Sequence, residues 1–150
     1  MTERYDSIVI GTGQAGPSLA VRLAEAGRKT AIIERKLFGG TCVNTGCTPT
    51  KALIASARVA YLARRAGDFG VIVKSGVEVD MARVQARKDA VVRESARGVE
   101  RWLRQSRNLT VYDGHARFES SRVIRVGATL LESDHIFLNV GARPKVPLRK

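Results

Sequence analysis

Tyr5-Asp6-Ser7-Ile8-Val9-Ile10-Gly11-Thr12-Gly13-Gln14-Ala15-Gly16 is the stretch that decides the fold. Ile8-Val9-Ile10 is an unbroken apolar run, the pattern of a strand buried on both faces. Gly11, Gly13 and Gly16 follow it in the spacing of a tight turn that opens a helix. Leu19, Ala20, Leu23 and Ala24 then recur at helical spacing, and Gly27 closes the helix. Pro17 is compatible with this because a first-turn residue has no intrahelical use for its N–H. Thr30-Ala31-Ile32-Ile33-Glu34 reads as a second buried strand, completing a βαβ unit of about 30 residues.

The turn has a clear chemical use. Gly11 permits the bend, Gly13 lets the backbone approach a pyrophosphate, and Gly16 lets helix and strand pack closely. Ala15 lies beside them at the helix start, where unpaired N–H groups and a partial positive charge favour phosphate. Glu34 stands where an acid accepts ribose hydroxyls and disfavours a 2′-phosphate. A ligand-free glycine turn is the competing reading. The register of strand, turn, helix, strand and acid favours the dinucleotide.

Downstream comes Gly39-Gly40-Thr41-Cys42-Val43-Asn44-Thr45-Gly46-Cys47-Thr48-Pro49-Thr50-Lys51, which holds both cysteines of the chain. Three readings compete. A structural zinc site needs four ligands, and His115 and His135 are not at ligand spacing. An inert buried pair is the second. The third is a reversible disulfide, for which Gly46 and a short polar linker suit a chain that folds back. Pro49 marks a helix start just after Cys47, so the positive helix end and Lys51 are expected to lower the Cys47 thiolate pKa. Redox chemistry is favoured among the three. Lys51 is either a solvated first-turn lysine or a cation beside a cofactor ring.

The rest of the 150 residues fits one α/β domain with a parallel sheet. A helix is expected from Lys51 to Gly67, then a mixed stretch from Asp68 to Val79. Asp80 should cap a long helix with Val84, Val91, Ser95, Val99 and Trp102 or Leu103 on one face. Leu109 to Tyr112 reads as a strand ending at Asp113-Gly114. His115 to Phe118, Arg122 to Val126 and Thr129 to Leu131 read as a small β-meander, and Asp134 to Val140 as a last strand stopped by Gly141 and Pro144. The basic tail from Val146 to Lys150 reads as no regular element.

Hydrophobic residues at 44% and charged residues at 27% describe a soluble globular chain. No apolar run approaches a membrane span, and the N-terminus leaves no room for a signal peptide, so a cytoplasmic location is expected. The net charge of +12 gathers on the long helix, in Arg83, Arg87, Arg93, Arg97, Arg101, Arg104 and Arg107. That reads as a solvated face. Nucleic-acid binding is disfavoured because no recognition motif accompanies the charge.

Gly39 to Lys51 resembles the active-site signature GGTCxNxGCxPxK of the class I pyridine nucleotide-disulfide oxidoreductases, and Val43-Asn44-Thr45 is most similar to mercuric reductase and its relatives. The resemblance extends to the βαβ unit, the long basic helix, Gly114-His115-Ala116 and Asn139-Val140-Gly141. It implies a Rossmann-like FAD-binding domain with NAD(P)H as electron donor. Gly11, Gly13, Ala15 and Gly16 would face the pyrophosphate and Glu34 the ribose. Gly40, Thr41 and Lys51 would line the flavin, Gly114 and Ala116 would flank the adenine, and Gly141 belongs to the matching strand end. Cys47 would be the thiol touching the flavin and Cys42 the outer thiol that meets a small-molecule, thiol or disulfide acceptor. Such proteins are longer homodimers with a second glycine-rich domain and a C-terminal interface domain. By this resemblance residues 1–150 are an N-terminal FAD-binding portion whose sheet is incomplete at the C-terminus, with little activity alone and a tendency to aggregate. Mercury specificity does not follow from it. Two other functions stay open: a non-catalytic module that uses helix 80–107 to hold an acidic partner, and a soft-metal binder using the dithiol.

Overall fold

The computed structural model describes residues 2–142 and Val146. The expectations placed on Pro144 and on most of the tail lie outside the described residues. The chain divides into two compact units, one holding everything up to Gly40 and from Val99 onward, the other Thr41–Gly98.

The first unit begins with β1 (Thr2–Arg4) and β2 (Ser7–Ile10), followed by α1 (Gly16–Glu25) and β3 (Thr30–Glu34). After the second unit it resumes with the end of α4 (Met81–Gln105). Then come β4 (Leu109–Asp113), β5 (Ala116–Phe118), β6 (Val123–Val126), β7 (Thr129–Glu132) and β8 (Ile136–Leu138). The main sheet is parallel, in the order β4-β3-β2-β8. Its register pairs Ile10 with Ile33 and with Leu138. The expected meander is present as antiparallel β5-β6-β7. It gains a strand that the sequence reading did not assign, because β1 pairs parallel with β7. The N-terminal segment therefore contributes to two sheets, with polar β1 in one, apolar β2 in the other, and Tyr5 and Asp6 between them.

Strand alternation sorts the core into two layers. Ile8, Ile10, Ala31 and Ile33 face Ile124, Val126 and Leu131 of the meander. Val9 and Ile32 face Ala20 and Val21 of α1, together with Phe38 and Leu103. Beside the first layer, the Tyr5 and Tyr112 hydroxyls lie 2.8 Å apart and 3.2 and 3.0 Å from Glu3 Oε2, so the two phenol hydrogens are shared among three oxygens. Burial and these bonds push the Tyr112 phenol far above its ordinary range.

The second unit contains α2 from Thr41 onward (the helix spans Gly40–Asn44), α3 (Cys47–Arg64), a short 3-10 turn (Ala66–Phe69) and the first part of α4. Asp80 caps α4 as expected, accepting from the Arg83 N–H at 3.0 Å. Several boundaries differ from the expectation. Between the cysteines, Val43 and Asn44 are helical and Thr45 and Gly46 form a turn. Cys47 is itself the first residue of α3, and Pro49 is its third, where a missing N–H still costs nothing. The helix stops at Arg64, before Gly67. The apolar triplet Val71-Ile72-Val73 forms no strand and is exposed. In α4, Leu103 is fully buried while Trp102 and Val91 point outward, because Leu103 lies a full turn beyond Val99 and packs with it in the core. The last strand is limited to Ile136–Leu138. All seven arginines of the basic run are exposed, although Arg104 pairs with Glu100 and Asp113.

Candidate functional site

The parallel topology gathers most of the expected cofactor residues at one sheet edge. Gly11 follows β2, Glu34 ends β3, Gly114 follows β4, and Gly141 comes shortly after β8. This is the carboxyl edge, where open α/β sheets bind ligands. A polar surface cavity of about 350 Å³ lies at the opposite edge, lined by Arg4, Tyr5, Asp6, Arg28, Asp134 and His135, and shares none of these groups.

Two of the glycines are dictated by backbone contact. Gly11 has φ +101°, and a Cβ there would lie 2.3 Å from the Asn139 carbonyl oxygen. A Cβ on Gly16 would lie 2.1 Å from the Gly11 carbonyl oxygen. Side chains at either position would drive strand, turn and helix apart. Gly40 also closes on the turn, since its Cβ would come 2.7 Å from the Gly13 Cα. Ala15 is the N-cap of α1 and exposed, and the helix start has no side-chain cap. Ala116 opens β5 and is half-buried, and Gly141 is exposed.

Glu34 is the charged centre of this edge. Its Oε2 accepts from the Thr12 N–H at 3.0 Å and the Thr12 hydroxyl at 2.6 Å. Its Oε1 accepts from the N–H groups of Arg35 and Lys36 at 2.8 and 2.9 Å. Burial raises the carboxyl pKa, but the four bonds outweigh it and hold Glu34 below its ordinary value. Thr12 is a site residue the sequence reading passed over. A lone hydroxyl inside a glycine turn has no spacing pattern to reveal it. Asn139 is a second such residue, with its side-chain amide 3.5 Å from the Gly11 carbonyl.

The second unit brings Cys42, Cys47 and Lys51 together, with Thr41 at the start of the same segment. Gly46 makes this possible, because a Cβ there would lie 3.0 Å from the Thr41 carbonyl oxygen. Both cysteines are free thiols, Cys47 exposed and Cys42 partly buried. The Cys42 S–H donates to the Cys47 sulfur, which is the largest cause raising the Cys42 pKa above its ordinary value. Acting the other way, the Cys47 backbone N–H and the Lys51 charge favour the Cys42 thiolate. The N–H that opens α3 thus serves Cys42, whereas the sequence reading aimed the helix end at Cys47. Lys51 lies one helical turn after Cys47, and α3 has no side-chain N-cap. Among the described residues, no group of three or more His, Cys, Asp or Glu could hold a metal ion. No helix among them is long and apolar enough to cross a membrane.

A family model described as pyridine nucleotide-disulphide oxidoreductase matches residues 5–149. The dihydrolipoyl dehydrogenase of Chlamydia muridarum is 38% identical, covering 97% of this chain and 31% of that protein. One from Bacillus subtilis is 42% identical, covering 78% of this chain and 24% of that protein. Among solved structures, the Cu(II) complex of the HOCl-induced flavoprotein disulfide reductase RclA from Escherichia coli superposes with a TM-score of 0.80. It is 33% identical and covers 97% of this chain and 30% of that one. The chain thus spans about a third or less of the length of these relatives. The match runs through the glycine turn and the cysteine pair alike, and the chain belongs to the pyridine nucleotide-disulphide oxidoreductase family.

Proposed function

We propose that this chain is the FAD-binding portion, residues 1–150, of a disulfide oxidoreductase whose electrons leave through Cys42 and Cys47. The observation that carries the reading is the thiol pair. Five positions apart in sequence, joined by a thiol hydrogen bond and near Lys51, it lies within a chain matched by the family from residue 5 to residue 149.

The residues present fit FAD. Gly11 and Gly16 leave no room for a Cβ in the turn, α1 starts without a side-chain cap, and Glu34 is held charged for a ribose. Gly13 and Ala15 would complete the pyrophosphate site. Gly40, Thr41 and Lys51 would serve the flavin, Gly114 and Ala116 the adenine side, and Gly141 the strand end. When bound, FAD supplies electrons taken from NAD(P)H.

The dithiol's own chemistry is thiol–disulfide exchange. The Cys42 thiolate attacks one sulfur of an acceptor disulfide. That S–S bond breaks, one thiolate leaves, and a mixed disulfide forms on Cys42. Cys47 then attacks the Cys42 sulfur, the second thiolate leaves, and the Cys42–Cys47 bond closes. Two electrons pass to the acceptor, and the thiol protons go to the departing thiolates. The hydrogen bond to Cys47 holds the Cys42 pKa above its ordinary value, and Lys51 and the Cys47 N–H offset part of that rise. The resemblance of Val43-Asn44-Thr45 to mercuric reductases supports a small acceptor that can reach the partly buried Cys42. A homodimer and a reducing, cytoplasmic setting accompany this reading. Turnover by the 150 residues alone is expected to be slight.

The test is an absorbance spectrum of the chain refolded with FAD, before and after two-electron reduction. Retained flavin bands, with a long-wavelength band on reduction that Cys47→Ser abolishes, support the assignment. A colourless chain that refuses FAD at any concentration overturns it.

A further inference from the structure

Thr12 is fully buried in a segment otherwise made of glycines and small turn residues, and each of its polar groups is engaged. Its N–H and hydroxyl both donate to Glu34 Oε2, at 3.0 and 2.6 Å. Its Oγ1 and its carbonyl oxygen both accept from the Gly39 N–H, at 3.3 and 3.1 Å. One hydroxyl therefore joins three segments: the glycine turn, the end of β3, and the Gly39-Gly40 turn. Only a β-hydroxy side chain can donate to the acid and accept from Gly39 in the same place. Valine matches its shape and does neither.

We propose that Thr12 is a positioning residue for dinucleotide binding, orienting the Glu34 carboxylate toward the ribose hydroxyls through its own hydroxyl. The inference rests on the FAD-binding reading and adds a residue to it. A carboxylate left to rotate must be ordered when the ribose arrives, whereas one already held by short charge-assisted bonds need not be. Glu34 is only partly buried, so the held group stays accessible. Thr12 touches no ligand itself in this scheme.

The experiment uses the 150-residue chain with ADP, which carries the adenosine ribose diol and a pyrophosphate, and with 2′,3′-dideoxy-ADP, which lacks the diol. Thr12→Val should weaken ADP binding by about tenfold, the scale of one bond to a charged group. It should change dideoxy-ADP binding by less than about twofold, since the lost orientation concerns only the diol. Thr12→Ser should restore ADP binding. Equal losses for both ligands, or no loss for either, overturn the role of Thr12 and leave the dinucleotide site standing. If the unsubstituted chain binds neither ligand, both readings fall. A carboxyl-carbon NMR titration of ligand-free Glu34 is the second readout. Its midpoint should rise in Thr12→Val and return in Thr12→Ser, and an unmoved midpoint also overturns the proposal.

Discussion

The unit that carries the glycine turn is packed, and the unit that carries the cysteines is not. Among the described residues, the buried apolar side chains of Thr41–Gly98 are Val43 and Ala52 alone. That unit instead exposes Ile54, Val59, Tyr61, Leu62, Phe69, Val71, Ile72 and Val73, with Ile72 at 84% exposure. The first unit is stabilised by two core layers around its own sheet. The second relies on helix formation and a few tertiary hydrogen bonds, such as Arg87 of α4 to the Ala52 carbonyl of α3 at 3.0 Å. A rigid frame thus holds the charged acid and the turn, while the thiols are carried by a segment with little core of its own. The difference teaches that the two units draw stability from different sources and should respond differently to the same kind of change.

Core truncation should separate them most. Leu103→Ala is expected to cost about 2–5 kcal/mol in urea unfolding, because the leucine is fully buried. Ile72→Ala should stay within about 0.5 kcal/mol of the unsubstituted chain. Similar losses at both sites would erase the contrast. Next come the glycines. Gly16→Ala should destabilise by about 1–3 kcal/mol and weaken FAD retention, since its Cβ has no room beside Gly11. Gly98→Ala, with nothing within 4 Å of its Cβ inside α4, should stabilise by about 0.5–1 kcal/mol.

A smaller effect follows from Glu34. Its folded pKa lies below the ordinary 4.5, so folding favours the charged form. The stability it adds is fully present above pH 4.5 and is lost as pH falls through the lower folded value. Thermal unfolding of Glu34→Gln between pH 3 and 7 should show lower stability near neutrality and a flatter acid limb. An unchanged acid limb would show that Glu34 is not held as described.

The smallest expected effect concerns the thiols. With its pKa raised by the Cys47 bond, Cys42 should alkylate a few-fold more slowly than exposed Cys47 at pH 8. Mass spectrometry after brief iodoacetamide treatment reads the order directly. Bound FAD should slow Cys47 if that thiol is the one touching the flavin. Unaltered Cys47 reactivity in the flavin-loaded chain would argue against the assignment of inner and outer thiols.

Much of the frame was legible because it is written locally. The Thr30–Glu34 strand, Pro17 in the first turn and the Asp80 cap depend on residues within a few positions of one another. What was missed depends on distant partners. β1 acquires its strand only by pairing with β7, whose residues lie more than a hundred positions away. Thr12 acquires its role only when β3 brings Glu34 alongside. Trp102 and Leu103 compete for one face by helical spacing alone, and the core of the first unit selects Leu103. The candidate site was proposed from its glycines, acid and cysteines, whose spacing is itself chemical. The direction of the α3 N–H was not, because it depends on how Gly46 turns the chain back on Thr41.

The Asn139 carbonyl resting against Gly11 has a consequence for the order of events during synthesis. The glycine turn leaves the ribosome well ahead of this neighbour, which emerges 128 residues later. At about 5–20 residues per second, that interval is on the order of ten seconds. Throughout it β2 lacks β8 on one side, and the turn lacks the carbonyl that shapes it. The turn is made well before it is finished, so a cofactor arriving in that interval meets a turn that the nascent chain has not yet closed.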